Sequence, residues 1–344
     1  MGKMHVISMS QWRTVILQLA PSFSFYAPVA FNSSQDYELI GSHNTDDIIY
    51  NHPKPSTPLK TFFLPVKENV TLDIPGKKQT IIMGAPACDL AALDILDEMY
   101  LNRDYTDMYY QSRRDNTIIA GYDCHSVLEN CHCTSCGVNP FPEKNMDLIL
   151  TRLDEWIYIQ GFSAKGDALM DKIREYGDSP QAGRNENGFA RIEEIRSSVR
   201  ATLTDKNNKL PDYRSSGPLI GRSGHRIWQS YASTCVSCGA CATSCPTCSC
   251  FLLIDRPGFE KVRQLDACQY PGFERVAGGE DPLGELPARF KNRYLCKYVW
   301  KPLKFKSVAC TGCGRCIDTC IGNISKNDLL EELAHEDRIK TPTG

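Results

Sequence analysis

The chain has 344 residues, 42% hydrophobic and 23% charged, with a formal net charge of -2. That length suggests two domains with buried cores, and the near-neutral balance excludes the basic footprint of a nucleic-acid binder. The N-terminal "MGKMHVISMSQWRTVILQLA" lacks a cleavable signal pattern and no apolar run is long enough to span a bilayer, so a cytoplasmic protein with no membrane span is expected.

Seventeen cysteines depart from ordinary composition, and their odd number in a large chain without a signal points to metal rather than disulfides. The N-terminal half opens on a helix predicted near Ser10 to Leu19. Two β-branched runs, "QTIIMGA" from Gln79 to Ala85 and "NTIIAGY" from Asn116 to Tyr122, read as short buried strands. Between them, "CDLAALDILDEMYL" places Leu90, Leu93, Leu96 and Met99 or Leu101 near helical spacing, with Asp89 available as a cap. Such a strand–helix–strand unit predicts parallel strands and a right-handed crossover. Cys88 and Cys124 then follow the C-terminal ends of the two strands, at the sheet edge where open α/β sheets bind ligands. Cys131 and Cys133 lie in a loop that can cover that edge, so Cys88, Cys124, Cys131 and Cys133 form one expected ligand set. Cys136 is a spare thiol, or it replaces Cys88 in a wholly local set, and both alternatives stand. His125 and His132 interleave with these thiols; either can serve as a ligand, and the hydrogen-bonded loop histidine is the favoured reading.

A further strand, "EWIYIQGF", follows, and the polar, turn-rich "KNNKLPDYRSSGP" reads as a linker. Residues 1–215 are expected to form an α/β domain with a cysteine site at its sheet edge. Residues 216–344 are expected to form an α+β two-cluster ferredoxin-like domain with an insertion, entered by a helix around "GHRIWQSYAS". Cys235, Cys238, Cys241 and Cys245 follow C-x2-C-x2-C-x3-C with Pro246 next, the bacterial ferredoxin spacing for a 4Fe–4S cluster. Cys310, Cys313, Cys316 and Cys320 repeat it, with Ile321 in the proline position. Three thiolates on one tight loop reach three corners of a cube, while the fourth leaves on a helix and ligates the other cluster. The expected sets are therefore Cys235, Cys238, Cys241 with Cys320, and Cys310, Cys313, Cys316 with Cys245. Structural zinc sites use pairs rather than triplets, which argues against zinc. Cys248 and Cys250, with Cys268 and Cys296 in the insert, supply the ligands of one further cluster, bringing the expected total to four. The chain closes on a predicted surface helix, "KNDLLEELAHE", whose acidic residues read as a solvated face.

"CPTCSCF", "DACQYPGFERVAGG", "RFKNRYLCK" and "CTGCGRC" resemble the β subunits of cytoplasmic sulfhydrogenases, which are bidirectional nickel–iron hydrogenases. They also resemble the equivalent iron–sulfur subunit of anaerobic sulfite reductase. "ACDLAALDILDEMYL" and the spaced Cys124, Cys131 and Cys133 carry the resemblance into the N-terminal half, so that it covers most of the chain. It implies an electron-transfer subunit with several 4Fe–4S clusters. Such a protein would stand between a catalytic subunit of hydrogenase or sulfite reductase type and a FAD- and NAD(P)-binding reductase subunit. Cys88 matches a family cysteine and is implied as a ligand ahead of Cys136, which departs from the pattern. Cys296 matches the hydrogenase branch, where the sulfite reductase branch tends to carry histidine. The chain has no G-x-G-x-x-G fingerprint, P-loop or G-x-S-x-G motif, so NAD and FAD are expected in a partner and no catalytic residue is assigned. A second reading is a reductase whose substrate binds an incompletely ligated cluster, such as one around Cys136. A third, a structural module, leaves the coexistence of ferredoxin halves and extra cysteine sets unexplained.

Overall fold

The β-branched runs of the N-terminal half pair as neighbours in a computed structural model, which describes residues 4–72, 78–102, 104–177 and 182–340. Strand β1 (Met4–Ser8) leads into helix α1 (Met9–Leu19), followed by β2 (Ser24–Phe31), β3 (Ser34–Leu39) and the short β4 (Lys67–Asn69). Next come β5 (Thr80–Pro86), α2 (Ala87–Tyr100), α3 (Met108–Asp115) and β6 (Thr117–Tyr122). The half continues with β7 (Leu148–Leu153), β8 (Trp156–Gly161), α4 (Ala164–Tyr176) and the long α5 (Ala182–Lys206). Seven strands make one sheet in the order β1-β8-β7-β6-β5-β2-β3. Its centre is parallel: β5 pairs with β6 from Thr80↔Thr117, as the strand–helix–strand reading predicts. β5 also pairs in parallel with β2, as β6 does with β7.

Side-chain alternation sends Ile81 and Met83 to one face of the sheet, with α1 and α4, while Ile82 and Ala85 meet α2 on the other. Leu90, Leu93 and Leu96 of α2 fill that second core with Tyr110 of α3. Asp89 does not cap this helix. The N-cap is Pro86, and the buried Asp89 carboxylate instead accepts from Leu59 N at 2.9 Å and from Arg315. A carboxylate one turn into a helix is free to reach sideways for a stronger, charged partner.

The second half holds α6 (Tyr213–Arg222), α7 (His225–Ala232), α8 (Ala240–Thr243) and the hairpin strands β9 (Phe251–Arg256) and β10 (Glu260–Leu265). It continues with α9 (Leu286–Leu295), a π-helical turn over Cys296–Trp300, α10 (Lys301–Phe305), α11 (Arg315–Asp318) and α12 (Lys326–Lys340). Trp228, Phe290, Tyr294, Tyr298 and Leu330 form its own apolar core. Only the first part of the predicted linker is irregular, because α6 begins at Tyr213 and buries Ser216 and Gly217. A Cβ on Gly217 would stand 2.5 Å from Tyr298 O, so this helix packs backbone to backbone and cannot act as a loose tether.

The Asp212 carboxylate caps α6, accepting from Arg214 N at 2.7 Å and Ser215 N at 3.2 Å. Burial alone would raise its pKa, but these amides outweigh burial and hold it below the usual aspartate range. Asp212→Ala is expected to cost about 1 kcal/mol in denaturant unfolding. The cap's contribution is complete above the unfolded-state pKa of about 4 and is lost as pH falls through the lower folded value.

The insert between the cysteine motifs returns to the first half. β10 pairs with β9 on one side and with β4 on the other, giving a three-stranded antiparallel sheet drawn from both halves. Buried Arg263 of β10 holds Glu68, with Nε to Oε1 at 2.9 Å, and also pairs with Asp107. No helix among the described residues is long and apolar enough to cross a membrane.

Candidate metal centres

The two copies of the cysteine motif adopt the same loop. Ser237 and Gly312 have φ of 54° and 67°, and Gly239 and Gly314 have φ of 72° and 77°, each loop running into the one-turn helix α8 or α11. Alternation of left- and right-handed residues makes a concavity lined by N–H donors, suited to anionic sulfur. Glycine is required in the second copy by more than conformation. A Cβ on Gly312 would collide with His132 O, and one on Gly314 would collide with Asn130 O. The second loop thus rests directly on the N-terminal cysteine loop, tied by His132 N donating to Gly312 O at 2.9 Å.

Cys235, Cys238, Cys241 and Cys320 line one cavity, together with Gln269, Arg293 and Ile321. It lies near the surface: Cys238 is exposed, as are Val236 and Ile321 at its rim. Cys245, Cys310, Cys313 and Cys316 line a second, interior cavity with His132, Arg293, Lys297 and Lys326. Both groupings are crosswise, each taking its fourth cysteine from the other motif. Cys88, Cys124, Cys131 and Cys133 line a third cavity at the C-terminal edge of β5 and β6, closed by Val199 and Leu203 of α5 and by Gly312 and Cys313. Cys136 points away from this cavity and joins His132 and Cys310, their donor atoms lying within 4.8 Å of one another.

The fourth set is less compact. Cys250 lies electrostatically close to Cys268 and Cys248, while Cys248 N donates to Cys245 O of the interior cavity at 3.3 Å. Cys296 stands at the start of the π-helical turn, half-buried, one residue before Lys297. His125 lies on a loop beside Cys124, its backbone N–H donating to Asn51 O at 2.8 Å.

Burial penalises the charge on these sulfurs. It raises the pKa values of Cys88 and Cys124 well above that of an ordinary thiol, pushes Cys133 and Cys313 up to about 12, and Cys241 to about 11. Three sulfurs go the other way: the neighbouring Cys248 lowers Cys245, helped by the Lys297 ammonium, Cys136 lowers Cys310, and Cys250 lowers Cys268 to about 6. Thiolates are the metal-ligating form, so this environment needs compensating cations.

Those cations are the functional residues that cysteine spacing does not reveal. Arg289, Arg293, Lys297 and Lys301 recur every fourth residue, which puts them on one helical face, and the first three are buried. Arg293 donates to Cys241 O at 3.1 Å, Lys297 Nζ to Cys245 Sγ at 3.0 Å, and Lys301 Nζ to Thr247 O at 2.7 Å. Burial would lower the pKa of Lys297, but the Cys245 and Cys248 sulfurs outweigh it and keep the ammonium protonated. Lys54 is held in the same way by Cys131 and by an ion pair with Asp318 at 2.8 Å. Lys60, buried beside Cys248, donates to Ala242 O at 3.2 Å and Cys248 O at 2.8 Å.

Three buried donors around the first two cavities have no protein partner: Arg293 Nε, Thr311 Oγ1 and Lys326 Nζ. Leaving a buried donor unmade costs about 1–3 kcal/mol each, so their concentration around one cysteine cage marks a missing acceptor. A compact anionic group held by four thiolates, with sulfur acceptors on its faces, fits the cysteines, the cations and the unmet donors together.

A family model described as a 4Fe-4S dicluster domain matches residues 234–324, the span that carries both motifs and the insert. The chain is 30% identical over 320 residues to sulfhydrogenase 2 subunit beta of Pyrococcus furiosus, a match covering 90% of this chain and 91% of that protein.

Proposed function

The chain belongs to the family of sulfhydrogenase β subunits, and on that premise we propose that it is the electron-transfer subunit of a multi-subunit oxidoreductase of the nickel–iron hydrogenase type. In this reading the chain holds four 4Fe–4S clusters. Their ligands are Cys235, Cys238, Cys241 and Cys320; Cys245, Cys310, Cys313 and Cys316; Cys88, Cys124, Cys131 and Cys133; and Cys248, Cys250, Cys268 and Cys296. When bound, such a cluster takes and gives up single electrons with little rearrangement. Its partners are a FAD- and NAD(P)-binding subunit, which handles hydride chemistry, and a catalytic subunit, with the assembly in the cytoplasm.

The observation that carries this reading is the continuity of the cysteine cavities. Cys316 faces both the surface cavity and the interior one, and Cys313 faces both the interior cavity and the one at the sheet edge. Cys248 N donates to Cys245 O at 3.3 Å, which attaches the fourth set to the same interior site. Isolated structural sites have no need to share walls, whereas a relay does. The protein's own residues then have defined tasks. Lys297, Arg293 and Lys54 offset the negative charge of the thiolates, Tyr294 and Phe290 keep water from the interior, and the Gly239 and Gly314 turns aim amides at sulfur.

The test is iron and acid-labile sulfide per chain after anaerobic purification, with electron paramagnetic resonance of the reduced sample. About sixteen of each, with several interacting reduced signals, is the expected result. About eight would confine the reading to the repeated motif and remove the sets built on Cys88 and Cys248.

A further inference from the structure

Cys136 is the one thiol that the four proposed sets leave over. It is 4% exposed, at the end of a 3-10 turn over Cys133–Cys136 that Gly137 terminates with φ of 70°. The loop leading into it has two faces. Cys131 and Cys133 turn toward the cavity at the sheet edge, while His132 and Cys136 turn toward Cys310 of the interior cavity. His132 Nδ1 lies 2.8 Å from Asn130 O, which orients the ring and leaves Nε2 on the Cys310 side. The Cys136 Sγ lies within 4.8 Å of the Cys310 sulfur and lines neither of the two cavities that its loop separates.

We propose that Cys136 is a hydrogen-bond donor to the Cys310 sulfur rather than an iron ligand, and that it raises the reduction potential of the interior centre. The inference rests on the cluster reading above. Cysteine counting supports it from both sides: the sheet-edge cavity already has four thiols without Cys136, and the interior cavity has four as well. Reduction adds negative charge that is shared with the ligand sulfurs. A thiol proton aimed at one of them stabilises the reduced form more than the oxidised form. The donor sits on the same loop as Cys131 and Cys133, so the loop that holds one centre also adjusts its neighbour.

The experiment uses the full chain, purified anaerobically, as wild type, Cys136→Ala and Cys136→Ser, with iron content and midpoint potentials from electron paramagnetic resonance titration. Unchanged iron in both variants is expected, with one midpoint shifted downward in Cys136→Ala and largely restored by the serine hydroxyl. Loss of about four irons from Cys136→Ala would make Cys136 a ligand and overturn the proposal. Full iron with unmoved midpoints would overturn it too, as would a serine variant shifted as far as alanine. A wild-type chain without clusters would instead bring down the underlying reading, and is visible before any variant is compared.

Discussion

Replacing Cys245 with alanine is expected to abolish the proposed interior centre, whose other proposed ligands lie in the second motif, and to spare the surface centre proposed on Cys235, Cys238 and Cys241. Cys320→Ala is expected to do the reverse. Each variant should lose about four irons and one set of reduced signals, and not the same set. The crosswise arrangement of the cavities underlies both outcomes, because Cys245 faces Cys310, Cys313 and Cys316 while Cys320 faces the first motif. Iron analysis with electron paramagnetic resonance on the two variants in parallel checks it. Loss of the surface signals in Cys245→Ala would mean that each motif ligates its own cluster.

The two variants should also differ in stability. Lys297 Nζ is buried, with Cys245 Sγ at 3.0 Å, Thr247 Oγ1 at 2.7 Å and Ala309 O at 3.3 Å. Removing the only negative partner among these leaves an ammonium in a low-dielectric interior, a change that costs about 3–5 kcal/mol in comparable buried pairs. Cys320 is half-buried beside exposed Ile321 and accepts a single backbone hydrogen bond, from Ile324 N at 3.4 Å. Its loss leaves no comparable charge stranded.

The parts of this molecule legible in the sequence are those written in short-range pattern. "QTIIMGA" and "NTIIAGY" become β5 and β6 because buried parallel strands need continuous apolar, β-branched runs, and α2 follows its leucine spacing. The repeated cysteine spacing marks two equivalent loops because a tight turn can present three thiols only at such intervals. What spacing does not carry is the tertiary choice. Helix α5 closes the sheet-edge cavity with Val199 and Leu203, whose four-residue interval would suit any surface helix. The row of Arg289, Arg293, Lys297 and Lys301 ordinarily signals a solvated face. Here it is turned inward because Arg289 meets the carbonyls of Leu283 and Gly284, and the first cysteine loop offers carbonyls and sulfur to the other three. Cys136 illustrates the same limit: Cys133 and Cys136 are three residues apart on one turn, yet Cys133 lines the sheet-edge cavity while Cys136 lies beside Cys310. "KNNKLPDYRSSGP" looks like a tether by composition, but Gly217 and Ser216 are small because α6 packs closely against the π-helical turn.

Arg315→Ala is expected to destabilise the protein by about 3–5 kcal/mol, and Asp89→Ala by a similar amount, with the double variant costing clearly less than the sum. Arg315 lies inside the second cysteine motif and Asp89 follows Cys88, so this pair joins the two halves between two proposed ligand loops. Both residues are 1% exposed. The guanidinium grips the carboxylate through Nη1 at 2.5 Å and Nη2 at 2.9 Å, while Nε donates to Pro55 O at 2.8 Å. Burial opposes the charge on Arg315, but Asp89 outweighs it and raises the arginine pKa. Either single truncation strands one buried charge; removing both strands none, which is the source of the non-additivity. Anaerobic denaturant unfolding of the four proteins gives the coupling energy. Additive losses would mean that the pair contributes only packing, and that the ligand loops hold their register without it. Iron content separates the remaining possibilities: a single variant that keeps its stability but loses the sheet-edge centre would make the pair an aligner of Cys88 and Cys313 more than a stabiliser of the fold.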